Sequence, residues 1–174
     1  MIKCGFRFQP LTIHHQNEVL NLIRTHFVPR TAIYRCLNFT DNDFDSYFRP
    51  RVHQCLQLPL SFGVWRRQAD ELVGCAINSI GRQPCPAGRI AKLTANARKV
   101  HDFVEEVQKD LEQLVPEVKS WFHLEIFCVH PQFYGHGIAS SLLTMSHNTA
   151  RALSLHLQSV LLCDRLGKVV DRSS

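Results

Sequence analysis

The sequence predicts one α/β (α+β) domain that covers residues 1–174, with helices on both faces of a mixed sheet. Three observations support this fold class. The 174 residues, 45% of them hydrophobic and 20% charged, suit a single globular core. Segments with strand-like and helix-like patterns alternate along the chain, without a repeat or a linker. A glycine-rich turn at residues 132–139 joins a strand-like run to a helix-like run.

The first half of the chain predicts one strand, two helices and an antiparallel hairpin. Apolar residues alternate in the strands and recur every three or four positions in the helices. Pro29 closes the first helix, and residues 40–43 form a capping box that opens the second. We expect Pro50 to break or kink that helix. The predicted elements are a strand at Phe6–Leu11, helices at Val19–Phe27 and from Thr40, and strands at Leu60–Trp65 and Leu72–Ile80.

The second half predicts a helix, a strand, a further helix and a last strand. Apolar residues from Val100 to Leu114 follow amphipathic helical spacing, and Pro116 ends that helix. The largely apolar run Trp121–Val129 predicts a strand that is buried on both faces. A helix at Ala139–Leu153 and a strand at His156–Cys163 complete the order β-α-α-β-β-α-β-α-β.

Composition limits the function classes. The net charge of +5 is small and scattered, which argues against nucleic acid as a partner. Seven cysteines without a C-x-x-C pair are typical of reduced thiols in a cytoplasmic protein. No signal-peptide pattern and no apolar run of 18 residues is present, so we expect no membrane segment. The ten histidines form no H-E-x-x-H pattern, and no metal site is predicted.

The turn from Gln132 to Ala139 carries the strongest chemical signal. A glycine turn from a strand into a helix directs several backbone N–H groups to one point, which suits a phosphate group. The lysine of a nucleoside-triphosphate loop is absent. Ser140 replaces the third glycine of the dinucleotide motif, and no acidic residue follows at the required distance. The turn therefore predicts another phosphorylated ligand.

Together with the preceding Val129-His130-Pro131, the motif Gln132-x-x-Gly135-x-Gly137 resembles the acetyl-CoA signature of GNAT-type N-acetyltransferases. The motif region spans residues 124–153, and the element order agrees over most of residues 5–163. The resemblance implies a mostly antiparallel sheet, acetyl-CoA as acyl donor and a small amine as acceptor. It also implies that the turn binds the CoA pyrophosphate and that the preceding strand edge pairs with pantetheine. The implied cofactor-binding residues are Phe127, Cys128, Val129, Gln132, Phe133, Tyr134, Gly135, His136, Gly137, Ile138 and Ala139.

The N-terminal half is similar to the arylalkylamine (dopamine-type) N-acetyltransferases of insects and related invertebrates. The shared features include the segment His26–Pro29 and the third strand from Leu72. The catalytic glutamate of that subgroup is not matched, because Thr31 occupies its place. Family members usually continue past the fifth strand with a helix and a hairpin that often supplies a tyrosine. The resemblance therefore predicts a fold that is shortened at the C-terminus.

The acceptor ammonium must lose a proton before it attacks the thioester. Strand alternation predicts that Glu125, His123 and Phe127 share one face. Glu125 is the first candidate base and His123 the second, while the alternative for Glu125 is a solvent-facing or salt-bridged carboxylate. The resulting hypothesis is an N-acetyltransferase of small (arylalkyl)amines that acts by direct attack, as a monomer or homodimer. The alternatives are a CoA-binding or interaction protein without turnover, and a protein N-terminal or lysine acetyltransferase.

Overall fold

The computed structural model describes residues 5–81, 92–114, 117–118 and 120–159. Five strands form one sheet in the order β1-β2-β3-β4-β5. The first four strands pair antiparallel, and β5 runs parallel to β4. The predicted mixed, mostly antiparallel sheet is therefore confirmed. The strands are β1 Phe6–Pro10, β2 Phe62–Arg66, β3 Glu71–Gly81, β4 Trp121–Val129 and β5 His156–Ser159.

Helices cover both faces of this sheet. One core cluster packs α1, α3 and α4 against the sheet, and a second cluster packs α5 against its other face. In the part of the chain that is described, no helix has both the length and the apolar character needed to cross a membrane. The helices are α1 Gln16–Leu22, α2 Ala32–Cys36, α3 Asp41–Cys55, α4 Ala95–Leu114 and α5 Ile138–Ala152.

The first predicted helix is more irregular than its pattern suggests. After α1 the backbone continues as a π-helical segment, Ile23–Phe27, and then as a 3₁₀ turn, Val28–Arg30. The Val28 N–H bonds the carbonyl of Ile23, five residues back, and Pro29 offers no N–H to continue that ladder. The short helix α2 follows, and the sequence pattern did not predict it.

Of the predicted break or kink at Pro50, the break does not occur. Proline removes one backbone donor, yet α3 runs through it from Asp41 to Cys55. Side chains on both sides of Pro50, including Phe48 and Val52, are almost fully buried in the first core cluster. Their packing outweighs the lost hydrogen bond. The predicted end of β5, residues 160–163, lies outside the described residues.

A β-bulge in β4 changes the register of the central sheet. Ile77 of β3 faces Ile126, whereas the next residue, Asn78, faces Leu124. Glu125 is therefore the extra residue in β4. A bulge of this kind interrupts the regular alternation of side chains along the strand.

Candidate functional site

The end of β4 opens onto a cleft of about 870 Å³. Volumes of roughly 300–1,000 Å³ are typical of sites for small molecules and cofactors. One wall is the chain between α1 and α2, and the other is the end of β4 with the turn into α5. The lining residues are His26, Phe27, Pro29, Arg30, Thr31, Arg35, Phe127, Cys128, Val129, Pro131, Phe133, Tyr134, Gly135, Gly137, Ile138, Ala139 and Ser140.

The glycine turn presents backbone donors to this cleft. Gly135 and Gly137 have φ angles of 81° and 68°, in the left-handed region that favours glycine. Gly137 caps the N-terminus of α5 without a side-chain hydrogen bond to the first turn. The first N–H groups of a helix have no partner within the helix. The positive end of the α5 dipole and these donors therefore suit an anion.

Gly74 of β3 lets α5 approach the sheet closely. A Cβ at this position would lie 3.1 Å from Cγ2 of Ile138 and 3.5 Å from Cδ1 of Leu142. Both of these α5 residues are almost fully buried. The contact therefore places the first turn of α5 directly beside the end of β4.

The end of β4 has an edge that faces away from β3. The His130 N–H donates to the Val73 carbonyl of β3 at 2.8 Å. Because peptide groups in a strand point alternately to its two sides, Phe127 and Val129 direct their N–H and C=O groups away from β3. Over the described residues, β5 pairs with β4 only from Trp121 to Leu124. This edge of β4 reaches the cleft without a partner strand in the described part of the chain.

Most of the predicted cofactor-binding residues meet at the cleft. All of them line it except Gln132 and His136. The Gln132 N–H bonds Nδ1 of His130, and the exposed His136 ring contacts Phe6 and Phe133. Gln132 and His136 are therefore the two predicted cofactor-binding residues that lie outside the described lining of the cleft.

The predicted common face of Glu125 and Phe127 is wrong. Because of the bulge, Glu125 turns towards α3, where its Oε2 lies 3.2 Å from Nη1 of Arg51. Ser79 donates to the Glu125 Oε1 at 2.5 Å. The Glu125 side chain is only 2% exposed. Phe127 instead packs in the second core cluster, with Ile138.

His123 also lies away from the cleft. It faces Ser79 across the β3–β4 ladder, and its Nε2 is 3.2 Å from the Gly81 carbonyl. Only 2% of the residue is exposed. Neither Glu125 nor His123 is among the described residues that line the cleft. The structure therefore places the two sequence-predicted bases together, but inside the protein.

Two residues of the opposite wall, Thr31 and His26, bring polar side chains to the cleft. Thr31 lines the cleft, is 4% exposed, and its Oγ1 donates to the Phe27 carbonyl at 2.9 Å. His26 lines the cleft from the π-helical segment, and its ring centroid lies 4.0 Å from that of His130. Sequence reasoning did not select His26, since a histidine five residues before Thr31 belongs to no catalytic pattern. The sequence offered one indication of His26, because it begins the segment His26–Pro29, which lies shortly before Thr31.

The electrostatics of the cleft favour neutral His26. Burial, the neighbouring His130 and the Arg30 guanidinium lower the pKa of His26, and Glu71 opposes them weakly. Within the described ranges, no group of three His, Cys, Asp or Glu side chains is arranged to hold a metal ion.

Neither a protein-family model nor a curated protein sequence matches this chain. Solved structures do match it. Arylalkylamine N-acetyltransferase 2 from Aedes aegypti superimposes with a TM-score of 0.73 at 16% identity, covering 89% of this chain and 75% of the mosquito protein. The chain has the fold of the GNAT-type acetyltransferases.

Two further solved structures show the range of this similarity. A polyamine N-acetyltransferase from Drosophila melanogaster, described as forming N-acetylagmatine, has a TM-score of 0.66 at 12% identity and covers 88% of this chain and 75% of its own. The C-terminal condensation domain of Ebony, in complex with β-alanyl-dopamine, has a TM-score of 0.66 at 16% identity and covers 86% and 70%. At these identities the comparison shows the fold alone.

Proposed function

We propose that this chain is an acetyl-CoA-dependent N-acetyltransferase that acts on small arylalkylamines. The observation that supports the proposal is that two backbone features, an open strand edge and the N-terminus of a helix, meet in one cleft. The edge of β4 that has no partner strand among the described residues ends at Val129, and the N–H groups of the turn and of α5 begin a few residues later. An acyl donor with an amide-containing arm and a pyrophosphate is complementary to that order of groups.

The pyrophosphate of acetyl-CoA would bind at Gly135–Ala139. Gly137 lines the cleft and has no side chain, so phosphate oxygens would be able to approach its main chain. The pantetheine amides would pair with the outward N–H and C=O groups of Phe127 and Val129, in the manner of an added strand. The thioester would then lie beside the N–H of Val129, which stabilises negative charge on its carbonyl oxygen during attack.

The acceptor would enter between the β4 end and the chain around Thr31. The rings of Phe27, Phe133 and Tyr134 line the cleft and offer apolar surface to an aromatic amine. Arg30 and Arg35 also line it, and no described lining residue is a carboxylate. A second positive charge on the acceptor is therefore unfavourable, which favours monoamines over polyamines and agmatine.

A second candidate function is CoA binding without turnover. It is favoured by Thr31, whose hydroxyl is held by the Phe27 carbonyl and offers no carboxylate to the cleft. Both functions require acetyl-CoA binding, and only the transferase acetylates an amine.

The test has two parts. Calorimetric titration of the full chain with acetyl-CoA measures binding. Incubation with acetyl-CoA and tyramine, dopamine, agmatine, spermidine or a lysine peptide then measures transfer. Mass spectrometry of the acetylated product is preferable to a thiol reagent, because the exposed Cys36 thiol would react.

We expect kcat/KM for tyramine or dopamine to exceed that for agmatine and spermidine by at least about tenfold, or about 1.4 kcal/mol of transition-state binding. Binding without acetylation of any amine would leave the second candidate. A lack of acetyl-CoA binding would contradict both, and preference for the peptide would indicate a protein acetyltransferase.

A further inference from the structure

Amine acetylation needs a group that accepts the ammonium proton, and the cleft offers few. A base must lie within hydrogen-bond reach of the substrate, directly or through one water molecule. Glu125 is paired with Arg51, and His123 is buried against Gly81. No Asp or Glu is among the described lining residues, and His26 is the one histidine among them.

The fold holds His26 at the mouth of the acetyl-transfer site. Its ring lies against that of His130, which directly follows Val129, at 4.0 Å between centroids and a 57° tilt. The π-helical segment Ile23–Phe27 widens the helix at this point and brings the ring to the cleft. Such segments are rare and occur frequently at functional sites.

Neighbouring groups position the ring and leave it able to accept a proton. Nη1 of Arg30 donates to the His26 carbonyl at 3.1 Å and lies 3.4 Å from its Nδ1. The second distance is longer than an ordinary N–H···N or N–H···O bond. His26 is half-buried, so solvent can still exchange protons with it.

The charged groups around His26 disfavour the imidazolium ion. His130 packs on it from the end of β4, Arg30 from the following 3₁₀ turn, and Glu71 acts from the start of β3. Burial, His130 and Arg30 lower the pKa of His26, against a smaller opposite effect of Glu71. These effects place the pKa of His26 below the ordinary histidine value, so they favour the neutral ring.

Resting on the proposed function, we propose that His26 is the general base that deprotonates the acceptor amine. The imidazole takes one proton from the ammonium group, directly or through water. The free amine then forms the C–N bond to the acetyl carbon, and the C–S bond of the thioester breaks. The second N–H proton passes through solvent to the CoA thiolate. The proton on His26 returns to solvent, so one proton is released per turnover.

The test compares His26→Gln with His14→Gln, a control at an exposed histidine outside the described cleft lining. Acetyl-CoA affinity is measured by calorimetry, and kcat is measured from pH 5 to 9 with the best amine of the panel above. For wild type we expect kcat to rise with pH through an inflection below pH 6.5 and then to level off. For His26→Gln we expect kcat at pH 7 to fall about 100-fold and that inflection to vanish, with acetyl-CoA affinity within about twofold. His14→Gln should match wild type.

The outcomes separate this inference from the proposed function. If wild type binds acetyl-CoA and acetylates amines, but His26→Gln keeps kcat within about threefold with the same inflection, His26 is not the base. If wild type acetylates no amine, the proposed transferase fails and the inference fails with it. A second measurement is independent of turnover. The imidazole NMR titration of His26 in the acetyl-CoA complex should give a pKa below 6.5, and a higher pKa would overturn the inference.

Discussion

The cleft at the end of β4 and the buried charges beside α3 lie close together along one strand, yet they are built in opposite ways. In the buried cluster, Arg51 and Glu125 have side chains 5% and 2% exposed, and they bond to each other. Arg51 also lies over the Tyr47 ring at 4.7 Å. In the cleft, backbone N–H groups and His26 face open space. The difference indicates that a titratable residue on β4 can contribute to packing alone. In the proposed acetyl transfer, proton transfer would depend on groups that reach the cleft.

The largest expected effect is on stability, at the buried ion pair. Arg51→Met leaves the Glu125 carboxylate buried and without its cation, because the bulge holds that side chain inside. Removing one partner of a buried pair typically costs about 3–5 kcal/mol of unfolding free energy. Urea denaturation of the full chain measures this loss.

The matched control for that experiment is Arg49→Met on the same helix. Arg49 pairs with Asp45, and the two side chains are 51% and 44% exposed. Exposed pairs contribute roughly 0–1 kcal/mol. Equal losses of unfolding free energy in the two variants would show that the buried Arg51–Glu125 pair stabilises the fold no more than an exposed pair does.

The next largest effect is expected in the cleft, at Gly137. Gly137→Val adds a branched side chain where the φ angle is 68° and where the pyrophosphate would lie. We expect acetyl-CoA affinity to fall at least about tenfold, or about 1.4 kcal/mol, in a calorimetric titration. Gly5→Val serves as the control, because Gly5 also has a positive φ angle but does not line the described cleft. An affinity within about twofold of wild type would exclude the proposed position of the pyrophosphate.

The smallest expected effect is on catalysis, in Glu125→Gln. Since Glu125 points to Arg51 and Ser79 rather than to the cleft, we expect its charge to take no part in proton transfer. We expect kcat per folded molecule to stay within about twofold, with an unchanged pH profile, although the variant is less stable. Loss of the inflection below pH 6.5 in this variant would indicate that Glu125 is the base. The buried ion pair, rather than the cleft, would then supply the group that accepts the proton.

Most of the fold was predictable from the sequence, because it depends on local patterns. Alternating and helical apolar spacing located the five described strands and four of the described helices, and the glycine turn with Val129 and Pro131 located one wall of the cleft. The path of α3 through Pro50 was not predictable, because burial of neighbours such as Phe48 and Val52 outweighs the local preference of proline.

The opposite wall of the cleft was predicted less well, because it depends on long-range geometry. The bulge at Glu125 follows from how β3 and β4 pair, and no spacing in β4 reveals it. The contact between His26 and His130 joins residues 104 positions apart in the sequence (130 minus 26). Only the assembled fold shows that His26 reaches the cleft while Glu125 does not.

The central claim is that the cleft binds acetyl-CoA through the β4 edge and the glycine turn. Amide ¹H–¹⁵N NMR spectra of the full chain, recorded during a titration with acetyl-CoA, test it residue by residue. We expect saturable shifts that are largest at Val129, Gly135 and Gly137, with smaller shifts at His26 and none beside Arg51. Absence of saturable shifts, or shifts confined to residues around Arg51, would contradict it.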